Sequence, residues 1–173
     1  MKSVLAAAAC APLSAFAATA TGTQSLSVNI GAIGKVAVVQ SSVSLAHTGS
    51  IFANFTGTVT VQYEVRTALS TGSSSLTLKA ASEFSPSNGP KIGNADLTYT
   101  CTGATVGSGC SGTQTVSTTS QTSVVTVGSG VCTGSGCAGS SPNSVTVNLN
   151  LVDSPLFKTG SYSTSLTFTI SAI

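Results

Sequence analysis

Apolar residues alternate with polar ones along nearly the whole chain, and no stretch repeats them at helical spacing. The clearest run is Gly57–Thr67, where Val59, Val61, Tyr63 and Val65 share one face. A side-chain period of two requires extended chain with one face buried. Further strands are expected at Ser25–Ile30, Lys35–Val39, Ser42–Ala46, Ser74–Ala80 and Asp96–Cys101, then at Gln114–Thr118, Ser123–Val127, Ser144–Val152 and Ser161–Ser171. Turn signals stand between them, including Ser70-Thr71-Gly72, Pro86-Ser87-Asn88-Gly89-Pro90 and Asp153-Ser154-Pro155. This pattern indicates an all-β fold, a Greek-key or immunoglobulin-like β-sandwich of about 8–10 strands. Thr102–Asn143 is dense in Gly, Ser and Thr and reads as a disulfide-stapled insertion, part hairpin and part loop.

At 173 residues the chain fits a single domain. Residues 1–17 resemble a secretory signal. Lys2 is the positive n-region, Ser3–Phe16 is Ala-rich and apolar, and Ala15-Phe16-Ala17 forms a cleavage motif, with an alternative after Ala20. The expected mature domain is then 18–173, secreted and placed at the cell surface. No later apolar run reaches the length of about 18 residues of a helical membrane span. An outer-membrane barrel needs aromatic girdles, and aromatics are 5% with no Trp.

Charged residues are 6% of the chain, against about 25% in ordinary domains. Ser and Thr make up about a third. No Lys/Arg cluster exists to hold a phosphate backbone, so nucleic acid is not an expected partner. A nearly uncharged surface also lacks the self-repulsion that keeps chains apart. That suits a protein that assembles.

Four cysteines follow the leader: Cys101, Cys110, Cys132 and Cys137. An even number in an exported chain points to disulfides. Three pairings are possible, and spacing favours Cys101–Cys110 with Cys132–Cys137. The gaps of eight and four residues suit structural zinc poorly, since its paired ligands usually stand two to four residues apart. Redox chemistry would want C-x-x-C, which is absent.

No catalytic, metal or cofactor site is expected, and the chain is not expected to be an enzyme. His47 is the sole histidine and can be written into a triad with Asp96 or Asp153, but no G-x-S-x-G elbow surrounds any serine. A turn histidine is the plainer reading. Glu64, Glu83, Asp96 and Asp153 stand apart, whereas glycosidases need two facing carboxylates. Tyr63, Tyr99 and Tyr162 are in phase with apolar neighbours, which assigns them to the core rather than to a sugar platform. Lys35, Glu64 and Asn148 or Asn150 could form an intramolecular isopeptide, but polar-face positions explain them better. Asn54-Phe55-Thr56 is a glycosylation sequon.

With no site in view, the strands carry the functional reading. Leu26, Val28 and Ile30 alternate ahead of the body, as a strand offered to another sheet would. Gly160-x-Tyr162 precedes Leu166, Phe168 and Ile170 in the final strand. On these positions the chain resembles bacterial pilin-type subunits of the chaperone–usher group, near spore-coat-U-like proteins. The resemblance implies a structural subunit joined by β-strand addition, with Leu26, Val28 and Ile30 as donor-strand residues. Its implied partners are copies of itself or related subunits and an assembly chaperone. A monomeric adhesion module that presents the Cys101–Cys137 loop is the alternative.

Overall fold

The computed structural model describes residues 24–47, 49, 51–67, 70–129 and 141–173. The expected leader, Cys132 and Cys137 lie outside them. Among the described residues ten strands form two antiparallel sheets around one apolar core: β1 (Ile33–Val38), β2 (Ala46–His47), β3 (Phe55–Arg66), β4 (Ser74–Ala80), β5 (Leu97–Thr102), β6 (Ser108–Gly109), β7 (Gln114–Thr115), β8 (Thr122–Val127), β9 (Asn143–Leu151) and β10 (Leu166–Ala172). The first sheet runs β1-β3-β9-β5-β7, with β2 also on β3, and the second runs β10-β4-β8-β6. From β3 onward, successive strands fall in opposite sheets, so none pairs with its sequence neighbour.

Alternation decides which face is buried. Val145, Val147, Leu149 and Leu151 of β9 point inward between Val59 and Val61 of β3 and Leu97 and Tyr99 of β5. Leu76, Leu78 and Ala80 of β4 oppose them from the second sheet. β8 breaks the alternation. Its register on β4 slips between Leu76 and Thr77, a bulge that sends both Val124 and Val125 into the core.

Most expected strands are present with shifted ends, but four readings need correction. Residues 25–30 form no strand and are exposed, and no described residue offers them a ladder partner. Ser42–Ala46 reduces to the two-residue β2, and its Val43 and Leu45 instead cover Gly57, where a Cβ would come within 2.7 Å of Leu45 Cδ2. The described part of 102–143 is neither hairpin nor appendage. β6 and β7 lie in different sheets, and Val116, Val124, Val125 and Val127 are buried. The final strand is also shorter than expected, since residues 161–165 contribute only a Ser163–Ser85 bridge.

Two tyrosines tie the layers together. The Tyr63 hydroxyl donates to the Val106 carbonyl, fixing the loop before β6. Tyr99 Oη lies 2.8 Å from the Ser123 carbonyl and 2.9 Å from Thr122 Oγ1, joining β5 to β8 across the sandwich. Thr122 Oγ1 in turn donates to Leu78 O at 2.9 Å. Gly107 makes the close approach possible. Its φ is +82°, and a Cβ there would sit 2.5 Å from Thr126 O.

Burial raises the pKa of both hydroxyls above the ordinary tyrosine value, with their hydrogen bonds opposing in part. A raised folded-state pKa means that the unfolded chain loses its proton first as pH climbs. Stability should therefore hold below about pH 10 and fall above it. Urea unfolding between neutral and strongly alkaline pH measures this. Tyr63→Phe with Tyr99→Phe should flatten the alkaline limb.

Candidate functional site: two open sheet edges

The sandwich has two unlike sides. On the β6/β7 side, Cys101 of β5 forms a disulfide with Cys110, at a Cα–Cα distance of 5.3 Å. Cys110 N–H donates to Val124 O at 2.9 Å, so this residue extends the ladder of the second sheet. The bond therefore staples one sheet to the other. Of the three possible pairings, this one follows the favoured local spacing.

On the other side, β1 and β10 are both edges among the described residues, and no ladder joins them. They approach closely: a Cβ on Gly34 would lie 3.1 Å from Ile170 Cγ2. The phase of the free backbone groups follows from the pairs that are made. Ser73 and Ile173 exchange hydrogen bonds of 3.1 and 2.9 Å. Antiparallel partners alternate between bonded and non-bonded pairs, so Leu166, Phe168 and Ile170 turn their N–H and C=O groups to the free edge. Val39 N–H donates to Thr60 O at 3.0 Å, which by the same alternation leaves Gly34, Val36 and Val38 of β1 facing outward. The side chains of Val36, Leu166, Phe168 and Ile170 pack on the core but stay only half-buried. Both edges thus offer unpaired backbone beside an incompletely covered apolar row.

Ahead of β1, residues 24–30 are extended and exposed. Leu26, Val28 and Ile30 are 95%, 80% and 63% exposed. Arg66 Nε donates to Gly31 O at 3.0 Å, which continues the line of β1 past the end of β3. The segment is solvent-exposed and makes no ladder with either described edge of its own sandwich.

The Gly160-x-Tyr162 motif serves a turn. Gly160 is exposed. The Tyr162 ring packs on Gly89, and its hydroxyl donates to Lys158 O at 2.5 Å. Tyr162 is half-buried, whereas Tyr63 and Tyr99 are buried as expected.

The remaining candidates are occupied locally. Glu83 accepts from Ile92 N–H at 2.6 Å and Gly93 N–H at 2.8 Å, holding the short 3-10 helix Ile92–Asn94. Asp96 accepts from Lys91 N–H at 2.7 Å. His47 lies in β2 rather than in a turn, with Nε2 at 3.6 Å from Asp153 Oδ2 and its ring edge-on to Phe55. Two members of the paper triad thus meet, but among the described residues no serine hydroxyl bonds to His47. Lys35 Nζ sits 3.5 Å from Glu64 Oε1. Asn148 pairs with Thr58, six residues from Glu64 and about 20 Å away along β3, so the isopeptide parts are not brought together. Asn54 binds Asn150 Oδ1 through Nδ2 (3.3 Å) and accepts from Asp153 N–H (3.4 Å), which occupies the sequon amide. Among the described residues no three His, Cys, Asp or Glu side chains gather, and no helix is long and apolar enough to cross a membrane.

The open edges could not be found from sequence, because edge status depends on strand order. Compared with protein-family models, characterised proteins and solved structures, the chain shows no significant match.

Two substitutions test these contacts. Gly89→Ala would place a Cβ 2.3 Å from the Tyr162 ring. It should cost about 1–3 kcal/mol, as overpacking does, read as a lower urea midpoint. Replacing Cys101 and Cys110 together by Ala should cost about 2–3 kcal/mol from released loop entropy, in the same assay.

Proposed function

We propose that this chain is an exported, non-enzymatic structural subunit of a surface filament or extracellular assembly, joined by β-strand addition. The carrying observation is the segment 24–30: alternating, extended, and exposed at Leu26, Val28 and Ile30. Its apolar period matches what an open sheet edge accepts, with backbone bonds giving affinity and alternate side chains giving register. The β1 and β10 edges supply the acceptor. An incoming strand would pair the free backbone of Phe168 and Ile170 and cover their half-buried side chains. The Greek-key, immunoglobulin-like form of the sandwich, the cell-surface location and the chaperone–usher likeness belong to the same proposal.

The charge balance supports it. Six basic and four acidic residues leave +2 on 173 residues, too little to hold identical copies apart. Unprotected edges ordinarily carry charge to prevent pairing, and β10 carries none.

The purified protein should form concentration-dependent filaments by negative-stain microscopy and a ladder in unheated SDS gels that collapses on heating. Val28→Lys, at a site 80% exposed, should leave the fold intact and abolish the ladder. A monomer at every concentration, with or without residues 24–30, overturns the proposal. The monomeric adhesion module presenting Cys101–Cys137 would then be the reading to pursue.

A further inference from the structure

The solvent face of the first sheet is organised independently of its edges. Thr56 and Thr58 of β3, Asn150 and Asn148 of β9, and Thr98 and Thr100 of β5 point outward in two register-matched rows. Strand geometry spaces them by about 4.8 Å across the sheet and about 6.7 Å along it. A shallow, open depression of about 540 Å³ lies over these rows. None of its lining residues is charged. The nearest ion pair on β3, Lys35–Glu64, stands six residues from Thr58, about 20 Å along the strand.

The side chains hold one another in place. Asn54 Nδ2 donates to Asn150 Oδ1 at 3.3 Å, and Asn150 Nδ2 donates to Thr98 Oγ1 at 3.4 Å. Asn148 Nδ2 donates to Thr102 Oγ1 at 3.1 Å. These bonds fix the amides and leave Asn148 Oδ1 directed away from its donor. Among the described residues, the hydroxyls of Thr58 and Thr100 on either side of it make no side-chain hydrogen bond.

We infer that this face is a binding site for a neutral glycan. A hydroxyl both donates and accepts, and a carboxamide presents one group of each kind. The complementary ligand is one whose own groups also do both. An anion or cation would lack the counter-charge that charged ligands are held by. An apolar ligand would strip water from hydroxyls without replacing their bonds. A polyhydroxylated, uncharged chain meets neither penalty. Tyr99 borders the depression, but its side chain is buried, so no ring stacks on the sugar. Hydrogen bonds alone then set the affinity, giving a Kd on the order of 1 mM for a short oligosaccharide.

The test is a ¹⁵N NMR titration of the folded protein with cellohexaose, mannohexaose and N-acetylated chitohexaose, each to about ten times that Kd. At least one should give saturable shifts centred on Thr58, Asn148 and Thr100. Asn148→Ala should weaken binding about tenfold, and Thr58→Lys should block it. Thr126→Lys, on the exposed face of β8 in the other sheet, should leave it unchanged. The inference fails if none of the three sugars moves these signals, if the shifts map elsewhere, or if they survive Thr58→Lys. The titration is run on the Val28→Lys variant, which keeps the fold without assembling, and neither open edge takes part, so the result is independent of filament formation.

Discussion

Every ladder after β3 joins strands distant in the chain, so no tight turn sets a register. The side-chain period does. A slip of one residue in β9 would turn Val145, Val147, Leu149 and Leu151 to water and carry Thr146, Asn148 and Asn150 into the core. β9 sits between β3 and β5, so the error would propagate to both neighbours. The penalty is large on each face, because four apolar side chains are exposed as amides and hydroxyls lose their partners. The nearly unbroken alternation is what allows strands that form no hairpin after β3 to find one pairing.

That constraint also explains the asymmetry of the sandwich. The β6/β7 side consists of two-residue strands with few ladder bonds. There the disulfide Cys101–Cys110 and the tyrosine bonds at Tyr63 and Tyr99 do what short ladders cannot. The β1/β10 side has longer strands of six and seven residues and neither kind of cross-link. Its closure rests on contacts such as Ile170 over Gly34. One side is fastened covalently and the other is left with backbone to spare.

Strand identity was legible in the sequence wherever one face is fully buried. Val59, Val61, Tyr63 and Val65 announce β3, and Ser74–Ala80 coincides with β4. Alternation alone did not separate a paired strand from an unpaired one. Leu26, Val28 and Ile30 carry the same signal as β3, yet they stand in solvent because pairing needs a neighbour that the local sequence does not encode. β8 was expected at Ser123–Val127 and lies at Thr122–Val127, on a less regular pattern than β3. Its bulge buries Val124 and Val125 in succession, which erases the period. β6 had no counterpart among the expected strands, lost in its Gly/Ser/Thr surroundings, whereas β7 begins the expected strand Gln114–Thr118 and Val116 reaches the core beside it. The polar face over Thr58 and Asn148 was visible only as the other half of each alternation. Its lattice exists only once three distant strands are in register.

The same hydroxyl-rich composition produces both surface features through different atoms. Threonine suits an exposed strand face because its β-branch favours extended backbone while its hydroxyl remains in water. A sheet covered this way needs few charges to stay folded, and the chain accordingly has few. Side-chain hydroxyls make the broad faces hydrophilic, but they cannot shield an edge, where the unsatisfied groups belong to the backbone. Charge is what ordinarily shields an edge, and β10 offers only Thr and Ser between its apolar residues. A surface built from Thr and Ser rather than Lys and Glu is thus hydrophilic across its faces, while the backbone along its β10 edge keeps none of the charge that ordinarily shields an edge.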